Sequence, residues 1–248
     1  MAAKEFTSVV VSNQMITPTV FLLKFKPAEP ISFSAGQFLS MVVPGAGPGG
    51  KDLRRAYSIA SPPERDYIEL CIKIVENGPG TTYLKNLKAG DQVRCFAPYG
   101  SFVYKPKENN SNHHVCFIAT GTGISPFRSM LFSKVFQNSP PKSSYCLFGV
   151  SNENEVLFEK EFSQAPHLTK WVAAVSRPST AWSGFKGRVT HYIRSLDAHF
   201  PWKNVDFYLC GNGAMIDEIK KILMEEKGVD KTQIHQEIYY KPKPGAEK

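Results

Sequence analysis

Within the octapeptide RRAYSIAS, residues 54–61, an arginine, a tyrosine and a serine fall in four consecutive positions. In an extended strand, alternation sends Arg55 and Tyr57 to one face, about 7 Å apart. Ala56 lies between them and Ser58 follows. A cation, an aromatic plane and a small hydroxyl in a row suit a ligand that is both flat and phosphorylated. An edge strand with a solvated arginine and a half-buried tyrosine uses the same residue types.

Four glycine-rich or basic turns add to this. In CFIATGTGISPFRSML (116–131) an apolar strand ends at Thr120, a glycine turn follows, and a helix is expected over about 126–136. Such a turn aims backbone N–H groups and the positive end of a helix dipole at a pyrophosphate. Gly121 and Gly123 let the backbone approach closely, and Pro126 suits the first helical turn. In NGPGTTYLKNL (77–87), Gly78 and Gly80 precede a short helix expected to begin at Thr81 and Thr82, whose hydroxyls and amides could receive a second phosphate. A plain turn and cap would look the same. LCGNGAM (209–215) is again an apolar strand running into glycine, which puts Cys210 at the carboxyl end of a sheet, where open α/β folds bind ligands; a buried thiol used only for packing fits as well. In AVSRPS (174–179), Ser176 and Arg177 offer a hydroxyl and a cation to a ribose 2′-phosphate, and no neighbouring Asp or Glu is there to hold a bare 2′-hydroxyl.

The elements that must carry these residues fall into two rhythms. Over the first hundred residues, TSVVVSNQ, VFLLKFKP, GQFLSMVVPG, RAYSIASP, YIELCIKIVENG and DQVRCFAPYG are β-rich runs bounded by turn formers. Six such strands with one short helical piece predict a small antiparallel Greek-key barrel. The polar segment KPKENNSNHH (105–114) reads as a linker. After it, HVCFIAT, SSYCLFGV, LTKWVAAVS, VDFYLCG and QIHQEIYY alternate with helical stretches, of which AMIDEIKKILMEEKG has apolar residues at helical spacing. That alternation predicts a parallel, doubly wound α/β sheet. The expected domains are therefore a β-barrel over 1–108 and an α/β domain over 109–248.

Composition narrows the class of protein. With 248 residues, 42% hydrophobic, the chain can bury a real core, and no apolar run reaches the length of a membrane span. The start, MAAKEFTSVV, lacks the pattern of a secretory signal. Five scattered cysteines (71, 95, 116, 146 and 210) form no CxxC, which argues against zinc and iron–sulfur sites and fits a reducing cytoplasm. The net charge of +8 is spread evenly, with 13 basic and 9 acidic residues before position 109 and 17 and 13 after it. A nucleic-acid-binding module would cluster that charge, so no nucleic-acid partner is expected.

The order RxYS, GPGTTYL, GTGISPF, a late CGNG and a terminal aromatic strand resembles the ferredoxin–NADP reductase superfamily across about residues 5–240. The resemblance implies FAD on the barrel. Arg55 would pair with its pyrophosphate, Tyr57, flanked by Ala56, would stack on the isoalloxazine, and Ser58 would hydrogen-bond near flavin N5. Cys71, Ile72 and Lys73 would flank the ring, and Gly78, Gly80, Thr81 and Thr82 would hold the diphosphate. It assigns Thr120, Gly121, Thr122, Gly123, Ile124, Ser125 and Pro126 to the nicotinamide nucleotide, Cys210 and Gly211 to the nicotinamide itself, and Ser176 and Arg177 to a 2′-phosphate. Glu237 matches an acidic residue near the flavin, and Tyr239 or Tyr240 the aromatic that shields the ring. Plant-type members end at that aromatic, whereas KPKPGAEK follows here.

The activity implied is hydride transfer from NAD(P)H, NADPH favoured, to FAD, then single electrons to a separate acceptor. Ser58, Cys210 and Glu237 are the catalytic candidates. The partner would be an acidic ferredoxin or flavodoxin, or an oxygenase component, served by a cytoplasmic monomer that needs no membrane. Two rivals stand beside this: an NADH-dependent reductase component of a multicomponent oxygenase, and a flavin subunit that never uses nicotinamide. Subunits of the latter kind usually add a cysteine cluster near the C-terminus, and this sequence has none.

Overall fold

A computed structural model describes residues 3–108 and 110–240. The chain forms two compact units. One runs to Tyr104 and takes in Ser125–Val135; the other comprises Lys105–Ile124 and the chain from Phe136 onward.

The first unit holds strands β1 (Lys4–Thr17), β2 (Val20–Pro27), β3 (Phe38–Val43), β4 (Leu53–Ser58) and β5 (Ile68–Lys73), helix α1 (Pro79–Lys85), strand β6 (Gln92–Tyr99) and helix α2 (Ser125–Leu131). The strands pair antiparallel in the order β4-β3-β6-β1-β2-β5. Just past β4, Ile59 bridges to Leu70 and the Ala60 N–H donates to the Glu69 carbonyl at 2.8 Å, so the two ends of the sheet meet. Sequence neighbours are often not sheet neighbours, which is the Greek-key barrel expected. Its core follows from period-two alternation: Phe21, Leu23 and Phe25 of β2 point inward with Leu39, Met41 and Leu70. Register shifts at Val10/Ser12 and Met15/Thr17 bend the long β1.

Helix α2 packs on the barrel through polar groups as well as apolar ones. Arg128 Nη1 lies 2.7 Å from Glu69 Oε2 and donates to the Ala60 carbonyl at 3.1 Å, with both charged side chains nearly buried. Ser129 Oγ donates to the Ser61 carbonyl at 2.8 Å. The single helix expected over 126–136 is in fact two: α2 stops at Leu131 and α3 spans Lys134–Asn138. Ser133 Oγ donates back to the Met130 carbonyl at 2.7 Å, taking up an acceptor that a continuing helix would use.

The second unit carries β7 (His114–Thr120), β8 (Ser143–Val150), α4 (Glu159–Ser163), β9 (Lys170–Val175), β10 (Phe185–Lys186), α5 (Val189–Ser195), β11 (Val205–Asn212), α6 (Gly213–Lys221) and β12 (Ile234–Tyr240). All strand pairs are parallel, in the order β10-β9-β8-β7-β11-β12. Val115, Cys116, Phe117, Ile118 and Ala119 of β7 are all buried, as a sheet covered on both faces requires. This is the doubly wound sheet the alternation predicts. Five strands were legible; the sixth, β10, has only two residues and carries no period. The order reverses where β7 lies beside β11, so the loops after these two strands flank the switch point. The polar stretch after Tyr104 is not loose: Lys107 Nζ reaches the buried Asp206 carboxylate at 2.9 Å.

Candidate functional site

In the first unit, β4 and the start of α1 converge. A Cβ built on Gly80 would stand 3.2 Å from Arg55 Cγ and 3.4 Å from the Tyr57 hydroxyl. Arg55 and Tyr57 therefore share one face, as alternation demands, and both border the α1 turn. The Arg55 guanidinium is exposed; it donates to the Arg54 carbonyl at 3.0 Å and forms no ion pair among the described residues. It is thus a cation with donors to spare. Burial raises the Tyr57 phenol to about 12, with Arg55 pulling the other way, so the ring stays neutral. Ala56 is exposed between them, and Ser58 is buried where β4 ends.

Helix α1 begins earlier than expected. Pro79 is its first residue, which places Gly80, Thr81 and Thr82 inside the first turns and leaves Gly78 as the N-cap. The Thr81 hydroxyl accepts from the Val75 N–H at 3.2 Å and lies 3.1 Å from the Val75 carbonyl. It is occupied in folding its own loop, which corrects the idea that it is free for a phosphate; Thr82 is the exposed hydroxyl. On β5, Cys71 and Ile72 are buried and Lys73 is exposed. Burial pushes the Cys71 thiol up to about 12 despite a hydrogen bond with Ser125 and the nearby Arg128 charge. That makes Ser125 and the following Pro126, both buried, part of the packing of the first unit.

The second unit builds its site from backbone. Residues Gly121–Ile124 form a 3-10 turn after β7. A Cβ on Gly123 would fall within 2.7 Å of the Cys210 carbonyl carbon and 2.9 Å of the Gly211 Cα, so only glycine lets the two switch-point loops touch. Gly211 has φ +127°, and a Cβ there would meet the Thr120 hydroxyl at 2.6 Å. Thr120 Oγ1 also accepts from the Asn212 N–H at 3.1 Å. Thr120 and Gly123 are thereby held against Cys210 and Gly211, with Ile124 buried beneath. Gly121, with φ +53°, has open space where a Cβ would stand, and Thr122 is half-buried.

Cys210 pairs in register with Glu237 on β12. Its thiol is fully buried, and burial and the Glu237 charge hold it well above the usual range against a hydrogen bond with Tyr239. The thiol is protonated at any working pH. Tyr239 is thus the aromatic that reaches Cys210, whereas the Tyr240 hydroxyl accepts from Asn212 Nδ2 at 3.1 Å. KPKPGAEK lies outside the described residues.

Ser176 and Arg177 are exposed just past β9, tied by Ser176 N–H to the Val150 carbonyl at 3.1 Å and Arg177 N–H to the Ser151 carbonyl at 2.8 Å. The expectation that no acidic residue lies there needs correction. Glu153, from the loop after β8, places its carboxylate 3.1 Å and 3.2 Å from the Ser179 N–H. It shares with Asn152, Asn154, Arg177 and Ser179 an open cavity of about 410 Å³. Sequence reading missed it because it lies more than 20 residues away; the acidic loop NENE after an apolar strand was the available signal.

One unit, a parallel sheet with a glycine-lined switch point, and the other, an antiparallel barrel bearing an Arg-x-Tyr strand, together define the class of flavin and nicotinamide oxidoreductases. The Oxidoreductase FAD-binding domain matches residues 7–104, and the Oxidoreductase NAD-binding domain residues 117–221. The chain is 30% identical to ferredoxin–NADP reductase B of Sorangium cellulosum, over 96% of this chain and 98% of that protein. It is 31% identical to the reductase component of phenol 2-monooxygenase of Pseudomonas sp., over 98% of this chain and 68% of that one. In fold it matches a ferredoxin NADP+ reductase from Neisseria gonorrhoeae with bound FAD and NADP, at a TM-score of 0.80 and 20% identity, covering 97% of this chain and all of that one. The chain belongs to the ferredoxin–NADP reductase superfamily and is an FAD-containing NAD(P)H oxidoreductase.

The donor set suits that cofactor: an exposed, unpaired Arg55, a neutral Tyr57 ring beside it, and a turn whose Gly80 brings backbone to both. No helix among the described residues is long and apolar enough to cross a membrane.

Proposed function

We propose that this chain is a reductase that draws a hydride from NAD(P)H and hands single electrons to a separate protein, a ferredoxin, a flavodoxin or an oxygenase component. Bound FAD supplies the redox chemistry, taking two electrons at once and releasing them singly. The protein's part is binding and orientation. Residues 1–108 act as the flavin half and 109–248 as the nicotinamide half. Arg55 neutralises the FAD diphosphate, with the amides of Gly80, Thr81 and Thr82 beside it. Tyr57 offers its flat face to the ring, and Ser58 a buried hydroxyl to the ring's reacting edge. Cys71, Ile72 and Lys73 bound the ring on β5.

In the second unit the 120–124 turn receives the pyrophosphate of the nucleotide, where its donors are backbone amides rather than side chains. Cys210, protonated and buried, presents an uncharged surface to the nicotinamide, which a thiolate would not. The Glu237 charge disfavours the thiolate, and Tyr239 hydrogen-bonds the thiol. Five buried cysteines with no disulfide suit a reducing cytoplasm, and the chain acts as a monomer. The +8 charge favours an acidic carrier.

The observation that carries the reading is the meeting of Arg55, Tyr57 and Gly80 on one face. Relatives include both a ferredoxin–NADP reductase and an oxygenase reductase component, so the acceptor separates two versions of one activity. The purified protein is expected to be yellow and to bleach anaerobically with NADPH or NADH. Colourless protein that takes up no FAD refutes the reading, and yellow protein that neither nucleotide bleaches leaves a flavin subunit that does not use nicotinamide.

A further inference from the structure

The cavity beyond β8 and β9 holds two opposite charges that do not pair. Arg177 has an exposed guanidinium with no ion pair among the described residues. Glu153 lies on the facing loop and turns to Ser179 instead: both carboxylate oxygens accept from the Ser179 N–H, at 3.1 Å and 3.2 Å. Hydrogen bonds from the Ser179 hydroxyl and from the Glu153 and Ser179 amides hold this carboxyl below the usual range, so the charge persists throughout the working pH range.

These facts bear on the choice of nucleotide. A ribose 2′-phosphate brings about two negative charges and needs both a cation and hydrogen-bond donors. Arg177 is the cation. The hydroxyl and amide of Ser179, which lines the same cavity, are already taken by a group of the same sign as the phosphate. A bare ribose, by contrast, carries hydroxyl donors that a carboxylate can accept.

We infer that Glu153 is a specificity-determining residue, which occupies the Ser179 donors and sets a negative charge against the 2′-phosphate, so that the chain prefers NADPH less than Arg177 alone would dictate. The inference deepens the nicotinamide reading above and rests on it. Glu153 touches no reacting atom; it acts through the charge and the hydrogen bonds of the pocket. Its effect therefore appears as a ratio between two nucleotides that differ only at the 2′ position.

The test compares holoenzyme and its Glu153→Gln variant, which keeps the shape and an acceptor for the Ser179 amide. The quantity is kcat/KM with NADPH divided by kcat/KM with NADH. Removing one like charge from the pocket is expected to raise this ratio by about tenfold. Titration with 2′-phospho-AMP and with AMP, followed by calorimetry, gives the same comparison without turnover; the variant should gain affinity for 2′-phospho-AMP relative to AMP. A ratio unchanged within about twofold, or both nucleotides altered by one common factor, overturns the inference, because a merely structural role moves both alike. Should neither nucleotide reduce the flavin, the enzyme reading fails while the titration still decides on Glu153. Failure of 2′-phospho-AMP to bind both forms counts against it.

Discussion

The two units meet similar tasks by different means. On the barrel, the candidate flavin contacts are side chains on a regular strand: Arg55 and Tyr57 project from β4 and stand against the turn at Gly80. In the α/β unit, the candidate nicotinamide contacts are backbone atoms, and side chains serve mainly to hold the loops together. The Thr120 hydroxyl accepts from the Asn212 amide, and Gly123 and Gly211 permit the approach of the loop after β7 to the loop after β11. A site made of side chains should respond to changes of charge and tolerate added volume. One made of backbone should do the reverse.

Gly123→Ala attacks the second kind. The position needs no left-handed backbone, so the methyl group is excluded only by the Cys210 carbonyl and Gly211 Cα it would overlap. Neither is a flexible side-chain end, so the loop must shift. A displacement near 1 Å at a reacting centre costs about 100-fold, and this is the loss expected in kcat/KM for NAD(P)H. FAD content, read from the visible spectrum, should stay at the wild-type level. Near-wild-type turnover would mean that side chains, and not the apposed backbones, make the nucleotide site.

Arg55→Ala attacks the first kind. A charged hydrogen bond contributes about 1.5–3 kcal/mol, so FAD should bind about ten- to a hundredfold more weakly. Flavin fluorescence released on dilution measures this directly. Arg55→Lys should fall between, since an ammonium keeps the charge but not the planar fork. If Arg55→Ala holds FAD as tightly as the parent, the barrel site also depends on backbone and the contrast disappears.

What could be read from sequence follows the same division. The barrel face was legible because alternation alone puts Arg55 and Tyr57 together, and one glycine turn because Gly123 marks a close approach; Gly121 does not, since it takes a φ of +53° with nothing near its Cβ position. The doubly wound sheet was legible from apolar runs, apart from β10, whose two residues have no pattern. Relations across long sequence distance were not. Nothing near Ser179 announces Glu153, and nothing in the 126–136 stretch announces that Arg128 would find Glu69 and that the helix would break at Ser133. The Thr81 hydroxyl shows a related limit: residue type tells that a hydroxyl is present, but not that Val75 has engaged it.

Gly80→Ala gives the finest test, because both units then carry the same change at a glycine beside a candidate ligand. At Gly80 the new methyl would meet Arg55 Cγ at 3.2 Å and the Tyr57 hydroxyl at 3.4 Å. Both atoms belong to side chains that can move by a few tenths of an ångström. Gly80 lies within α1, where replacing glycine by alanine favours the helix by about 1 kcal/mol. The two effects oppose each other, so FAD affinity should change by less than about threefold and thermal stability should hold or rise slightly. Set beside Gly123→Ala, the pair isolates what surrounds each glycine from the chemistry of the substitution itself: flexible side chains in one unit, fixed backbone in the other. A loss of FAD from Gly80→Ala as large as that from Arg55→Ala would show that the α1 backbone, and not the β4 side chains, dominates the flavin cradle.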